Sequence, residues 1–181
     1  SEDVNNLAYN EMISDAFNKS WLPAFFSLND NLALLSEKYA STPSIGLTHA
    51  QSASPTTFGK RFAYFLHNAM ESISPLENLV LDAKMSGAVG NNNAVMASCP
   101  NFDFPKYAKE FVESMGFTYT SIANQRNSHL RIVFLLKQIA AVNTVVGDLA
   151  ENISGYLSLG WLNQKAVESH AGSSVMPHKI N

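Results

Sequence analysis

The chain has 181 residues, of which 46% are hydrophobic and 15% charged, and its formal net charge is −3. This composition is typical of a globular protein with one substantial core, and it excludes a disordered chain. Because the lysines and arginines are few and scattered, it also argues against a nucleic-acid partner.

Three further features predict a cytoplasmic protein without a membrane partner. No unbroken apolar run approaches the roughly 20 residues that a membrane span needs. The first residues, Ser1-Glu2-Asp3, have none of the basic and apolar character of a signal peptide. The single cysteine, Cys99, excludes an internal disulfide, and we predict that it is a buried structural thiol.

The first helix and the segment after it are predicted from the spacing of apolar residues. From Leu7 to Tyr39 these residues recur every three or four positions, which predicts a long helix with a kink at Pro23. Between Ser41 and Pro55 the period vanishes and Ser, Thr, Pro and Gly accumulate. We therefore predict a connecting loop there, and His49 lies in it.

A second helix is predicted from Thr57 to about Lys84, with a bend at Pro75. Residues 86–93 then break the helical period. Their glycines, Gly87 and Gly90, indicate a tight backbone approach, since the strand-turn-helix context of a phosphate-binding loop is missing.

Two more helices are predicted in the second half of the chain. Asp103 is a favourable start and Gly116 a favourable stop for a short amphipathic helix, which a loop over Thr118–Gln125 follows. The last helix is predicted from about Asn127 to Leu159, with Gly160 as its C-terminal cap.

Together these elements predict an all-α fold, a bundle of long and nearly antiparallel helices in one central domain spanning residues 1–181. The last helix is apolar on nearly all sides around Ile132–Leu136 and again near Val142–Val146. Because three helices alone cannot bury it, we predict that other subunits cover the remaining faces. The chain starts without Met and stops after a Gly-Ser-Ser loop, so we interpret it as part of a longer protein.

The most informative segment is the tail from Ala171 to Asn181, AGSSVMPHKIN. It combines small residues, two hydroxyls, backbone amides and a cation, which together can close over an anion and stabilise a developing oxyanion. On composition alone, a solvated Gly-Ser loop is an equally good interpretation. The order of residues decides between them: Gly-Ser-Ser-x-Met-Pro-x-Lys-x-Asn resembles the signature of the fumarase, aspartase and argininosuccinate lyase superfamily at every fixed position.

Within that superfamily, the flanking segments resemble the adenylosuccinate lyase family from end to end. The similar segments are SEDVNN at 1–6, THAQ at 48–51, SGAVGN at 86–91 and MPHK at 176–179. The resemblance implies a lyase of purine biosynthesis that cleaves adenylosuccinate to AMP and fumarate, and the related ribotide SAICAR to AICAR and fumarate, by β-elimination. It also implies a homotetramer with shared active sites and no cofactor or metal.

The resemblance assigns roles to individual residues. Ser173 matches the mobile-loop serine that acts as general base, and His49 matches the histidine that protonates the departing amine. The matching substrate-binding positions are Ser1, Gln125, Ser174, Lys179 and Asn181. Elimination of an amine needs a base, a proton donor and fixed positive charge, which these residue types supply. Without the family match, His49 would be a generic surface histidine, since no histidine has metal-ligand spacing.

Several residues near the predicted site depart from the pattern of close adenylosuccinate lyases. They are Leu47, Ser52, Asn127, Ser128, Leu130 and His170. Two alternatives therefore stay open: another enzyme of the superfamily, such as a carboxymuconate cycloisomerase or an argininosuccinate lyase, and a catalytically impaired paralogue kept as a helical scaffold. Because active sites of the resembling family assemble from several chains, we expect His49 and Ser173 to lie far apart within one subunit. The resembling family also places nucleotide-binding residues outside this stretch, so we expect the 181 residues alone to be inactive.

Overall fold

The protein is mostly helical. The structure, a computed structural model, describes residues 2–165 and 175–176. Its elements are α1 (Glu2–Ala16), a π-helical turn (Phe17–Trp21), α2 (Leu22–Lys38), β1 (Pro43–Thr48), β2 (Gln51–Thr57), α3 (Phe58–Ile73), a 3₁₀ turn (Ser74–Leu76), β3 (Asp82–Ala83), α4 (Asn93–Ser98), α5 (Phe104–Ser114), β4 (Thr118–Tyr119) and α6 (Leu130–Ser158). Helix makes up 61% of the described residues and the strands are short, which confirms the predicted all-α class. The chain divides into two compact units, Ser1–Val142 and Asn143–Asn181.

The first predicted helix is present but is not α-helical throughout. Between α1 and α2, over Phe17–Trp21, the backbone takes up a π-helical turn. Pro23 follows in the first turn of α2, where it has no N–H to donate and its ring would clash with a carbonyl four residues back in a continuous α-helix. The wider π turn accommodates it. Phe17, Trp21 and Phe25 stack along this stretch, with ring centroids 5.3 and 5.4 Å apart.

The segment predicted to be a connecting loop is a β-hairpin instead. β1 and β2 pair antiparallel, from Pro43 opposite Thr57 at the base to Thr48 opposite Gln51 at the tip. Most of their side chains are exposed or only partly buried, so no alternation of apolar and polar residues marks the strands. The Ser, Thr and Pro content that indicates a loop therefore gave the wrong prediction here.

The second predicted helix, α3, ends at Ile73 and does not reach Lys84. Pro75 lies in the 3₁₀ turn that closes the helix, and it cannot supply the N–H that a further α-helical turn requires. The chain beyond it is extended, and β3 pairs in parallel with β4. Both short strands lie where the sequence predicts helix or loop.

Gly59 allows α3 to approach the end of α2 closely. A Cβ at this position would lie 2.3 Å from the carbonyl oxygen of Ser36 and 2.6 Å from the backbone nitrogen of Ala40. The Gly59 N–H donates to the carbonyl of Tyr39 at 2.8 Å. Buried apolar side chains line the two helices: Phe25, Leu32, Phe58, Phe62, Phe65 and Ala69. This contact fixes the base of the hairpin that joins α2 to α3.

A second apolar cluster lies beneath α1 and β3. It consists of Leu7, Leu81, Ala83, Val112 and Phe117. Arg131, at the start of α6, donates to the carbonyl of Val80 and to the Thr118 hydroxyl, so it ties this helix to the same layer. The cluster therefore holds α1, α5 and the β3–β4 pair together around Lys84, the residue that follows β3.

The predicted limits of α5 are confirmed. The Asp103 carboxylate accepts a hydrogen bond from the Lys106 N–H at 3.1 Å and so caps the first turn. Gly116 follows the helix with a φ of +84°, a conformation that favours glycine.

The predicted end of α6 is also confirmed. Gly160 has a φ of +71° and donates to the carbonyl of Leu157 at 3.0 Å, while the Trp161 N–H donates to the carbonyl of Tyr156 at 2.9 Å. These two bonds form a Schellman motif. The Trp161 and Tyr156 rings stack at 5.7 Å, which adds the apolar contact that commonly accompanies such a cap.

The predicted burial of Cys99 is wrong. Cys99 is exposed, since it follows α4, a six-residue helix in which no residue is buried within the described chain.

By length and composition, α6 could cross a membrane: it has 29 residues and a stretch of mean hydropathy 1.6. Core helices of soluble proteins pass the same test, but only 17% of this stretch is buried inside the described chain. Its exposed apolar residues include Leu130, Val133, Phe134, Leu136 and Leu157.

Candidate active site

Two of the predicted site residues, His49 and Gln125, lie in the part of the chain that the structure describes. The others lie outside the described residues: Ser1, Ser173, Ser174, Lys179 and Asn181. The distance between His49 and Ser173 therefore stays a prediction. Among residues 2–165 and 175–176, no three His, Cys, Asp or Glu side chains form a group that could hold a metal ion.

His49 occupies the tip of the hairpin. Together with Ala50 it forms the two-residue loop between β1 and β2, and the two residues have φ values of +52° and +59°. Positive φ at both central positions is the requirement of a type I′ turn, whose twist matches that of antiparallel strands. The turn holds the imidazole on an exposed part of the chain, where a proton donor would be accessible to a ligand.

The base of the hairpin is anchored to α3. The Arg61 guanidinium donates to the Ser44 hydroxyl at 3.2 Å and to the carbonyl of Ile45. The Phe58 N–H donates to the carbonyl of Thr42 at 2.9 Å. Because the base is fixed in this way, the position of His49 is set by the strands rather than by a mobile loop.

Two of the residues that depart from the family pattern face each other across the hairpin. Leu47 and Ser52 are cross-strand partners, one step away from the Thr48–Gln51 pair that closes the turn. Leu47 is 39% exposed. The two departures therefore alter a single patch of surface beside His49.

The turn at His49 also carries backbone strain at Ala50. We expect Ala50→Gly to stabilise the protein by about 0.5 to 1 kcal/mol, because a Cβ in the left-handed region costs about 1–2 kcal/mol and the freedom of glycine in the unfolded chain offsets only part of that. Denaturant unfolding would measure the change. Ala53→Gly, on β2 at a residue without positive φ, is the matched control and should be destabilising. Equal losses in the two variants would contradict the strain.

Gln125 lies between β4 and α6 and has an exposed side chain. Its backbone carbonyl accepts a hydrogen bond from the Lys84 ammonium at 2.9 Å. The same ammonium donates to the carbonyls of Gly87 at 2.8 Å and Asn124 at 3.2 Å, and it forms an ion pair with the Asp3 carboxylate at 3.0 Å. We call these five residues the Lys84 cluster. Lys84 itself has no exposed surface.

The Asp3 carboxylate connects the cluster to the start of α1. Its oxygens accept hydrogen bonds from the N–H groups of Ser86 at 3.2 Å and Gly87 at 2.9 Å. Burial alone raises the pKa of Asp3, but the hydrogen bond from Lys84 and those from the two backbone N–H groups outweigh it. The pKa of Asp3 therefore lies below its ordinary value of 3.8.

This lowered pKa predicts a dependence of stability on pH. The ionised Asp3 contributes stability above its unfolded pKa, and the contribution is lost as the pH falls through the lower folded value. We expect Asp3→Asn to be destabilising at pH 7 and to flatten the loss of stability below about pH 4, the ordinary range of a carboxyl group. Unfolding at a series of pH values would measure both. The exposed Asp30→Asn is the control, and an equal flattening there would contradict the assignment to Asp3.

Comparison with known proteins agrees with the signature segment. The chain matches the family model described as Lyase over residues 1–181, and it belongs to this lyase family. It is 35% identical to adenylosuccinate lyases from Haemophilus influenzae and Legionella pneumophila, and 34% identical to the one from Escherichia coli K12. Each match covers all of this chain and 40% of the relative. The chain thus spans about two fifths of the length of the curated relatives it matches.

Solved structures share the fold. A fumarate lyase from Mesorhizobium sp. BNC1 matches with a TM-score of 0.76 and 24% identity, over 87% of this chain and 36% of that one. A 3-carboxy-cis,cis-muconate lactonizing enzyme from Pseudomonas putida matches with a TM-score of 0.77 and 24% identity, over 98% of this chain and 39% of that one. At this identity the likeness concerns the fold alone.

Proposed function

We propose that the protein to which this chain belongs is an adenylosuccinate lyase. It cleaves adenylosuccinate to AMP and fumarate by β-elimination, and SAICAR to AICAR and fumarate in the same way, as a step of purine biosynthesis. The observation that carries the proposal is 33–35% identity to adenylosuccinate lyases over the whole chain. That length includes both the hairpin with His49 and the signature segment 172–181.

In the proposed mechanism, two side chains transfer protons while the electron pairs move within the substrate. Ser173 removes the proton from the carbon next to the succinyl carboxylate. The electron pair left on that carbon forms the double bond of fumarate as the carbon–nitrogen bond breaks, and His49 supplies a proton to the departing nitrogen. Lys179 and Asn181 stabilise the negative charge that develops on the carboxylate. The remaining substrate contacts are assigned to Ser1, Gln125 and Ser174.

The proposed assembly is a cytoplasmic homotetramer with active sites built from several subunits. Two observations support it. His49 lies on the exposed tip of an anchored hairpin, where groups from another chain can reach it. The exposed apolar residues of α6 also form more apolar surface than a water-facing helix usually carries, and subunit contacts are a common cover for such surface.

The experiment is a substrate panel for the full-length protein. Fumarate release from adenylosuccinate and from SAICAR would be followed by absorbance. Argininosuccinate and 3-carboxymuconate would be assayed separately as the substrates of the alternative enzymes. We expect turnover of the first two only. Turnover of argininosuccinate or lactonisation of carboxymuconate instead would assign another reaction of the superfamily. A folded protein that turns over none of the four would be an impaired paralogue.

A further inference from the structure

The Lys84 cluster brings together three segments that are distant in sequence. Asp3 lies in the first turn of α1, Gly87 follows β3, and Asn124 and Gln125 precede α6. Four oxygen atoms surround one ammonium that has three N–H groups, and the lysine is fully buried. Both ends of this lysine are fixed, because the Asn6 amide donates to its carbonyl at 3.0 Å and accepts from its N–H at 2.8 Å.

The backbone of the same two loops is in direct contact. A Cβ added to Gly90 would lie 1.7 Å from the carbonyl oxygen of Ala123 and 3.3 Å from the Cα of Asn124. Residues 86–90 and 123–125 are therefore packed backbone to backbone, with the Lys84 ammonium bonded to carbonyls on both sides. A shift of the ammonium would be transmitted to both loops.

Stability alone is a weak reason for such an arrangement. A buried ammonium loses its hydration, and its ion pair and hydrogen bonds at best offset that cost, so buried ion pairs are often no more stabilising than apolar side chains of the same volume. Unlike an apolar side chain, the ammonium fixes the orientation of three backbone carbonyls by donating a hydrogen bond to each. One of these carbonyls belongs to Gln125, a residue assigned to substrate binding, and the pairing carboxylate stands two positions after Ser1 in the sequence.

We propose that Lys84 is a positioning residue for the substrate site. Its ammonium holds the backbone that carries the Gln125 side chain, and through Asp3 it holds the beginning of α1 against the same loop. The identity of the substrate rests on the proposed function. The coupling between Lys84 and Gln125 rests on the distances alone.

The first measurement uses the full-length protein carrying Lys84→Met, which keeps most of the length of the side chain and removes its charge. We expect a folded protein whose kcat/KM for adenylosuccinate falls by about 10- to 100-fold, mainly through KM, since small misplacements of binding groups have effects of this size. Lys109→Met is the matched control, because Lys109 is an exposed lysine whose ion pair is with Glu113, one helical turn away. Its kcat/KM should stay unchanged.

The second measurement separates positioning from a general loss of structure. In a Gln125→Ala background, Lys84→Met should lower kcat/KM by less than about 3-fold, because the side chain that it positions is gone and coupled residues are not additive. The same loss in both backgrounds would overturn the proposal. Where Lys84→Met does not fold, the cycle is run with Lys84→Arg, whose planar head cannot reproduce the contacts of the ammonium.

The third measurement needs no substrate. Amide hydrogen exchange at residues 87–90 and 123–126 should become faster in the Lys84→Met protein than in the wild type, while α3 keeps its protection. Unchanged exchange at these amides would overturn the positioning role whatever reaction the enzyme performs. A wild-type protein that releases no fumarate from adenylosuccinate, with faster exchange in the variant, would overturn the proposed function only.

Discussion

Replacing Ser173 with alanine in the full-length protein should lower the turnover of adenylosuccinate by at least about 100-fold, the lower end of the range for general base catalysis. Substrate binding should stay largely intact, because a proton-transfer group stabilises the transition state rather than the ground state. The measurement is kcat from fumarate release, together with a substrate dissociation constant from calorimetry.

Lys179→Ala is the informative contrast to the serine variant. A cation that faces the substrate carboxylate acts both before and during proton removal, so this variant should weaken binding as well as turnover. Near-normal turnover by the Ser173→Ala protein would remove Ser173 as the base. Equal losses of binding in the two variants would show that the serine acts in substrate binding instead.

Gly90→Ala should be the most damaging single-methyl change among the described glycines with positive φ. The new Cβ would overlap the carbonyl oxygen of Ala123 at 1.7 Å, and the backbone already has a φ of +83°. Overpacking against backbone and a left-handed alanine together should cost about 3 kcal/mol or more. Denaturant unfolding of the full-length protein measures this cost, and a protein that does not fold meets the expectation.

Gly116→Ala is a matched control for that experiment. Gly116 has nearly the same φ, +84°, but its added Cβ would meet no atom within 4 Å. This variant should lose only the conformational part, about 0.5 to 1 kcal/mol, because the reduced freedom of alanine in the unfolded chain offsets part of the left-handed cost. Equal losses in the two variants would mean that the loops containing Gly90 and Ala123 separate easily, contrary to their close contact in the structure.

The helices could be predicted from the sequence because helix formation here is mainly a matter of local spacing and caps. Asp103, Gly116 and Gly160 stand at the ends of α5 and α6, and the structure places each of them where capping chemistry requires it. Pro75 shows the limit of the method. The apolar period continues past it, but the missing N–H ends α3 before the period does.

The strands and the buried lysine could not be predicted, because no local sequence pattern marks them. The hairpin around His49 carries no alternating pattern, and β3 exists only because it meets β4. Lysine is a residue type usually found on the surface, and nothing in the sequence around Lys84 indicates that Asp3 and Gln125 contact it. The sequence does contain one hint: SEDVNN and SGAVGN both belong to the family resemblance, and the structure joins these two segments at Asp3.

The π-helical turn at Phe17–Trp21 determines how α1 is rotated about the helix axis relative to α2. Leu7 and Phe25 are 18 positions apart, about five full α-helical turns, so an uninterrupted helix would point both side chains the same way. A π turn takes up an extra residue and rotates α2 by roughly 100° against α1. Because of this rotation, Asn6 on α1 contacts Lys84 while Phe25 on α2 packs towards α3. Deleting one residue from this turn would rotate α1 relative to α2, so that either Asn6 or Phe25 would lose its contact. The segment should therefore tolerate substitutions better than a change in length.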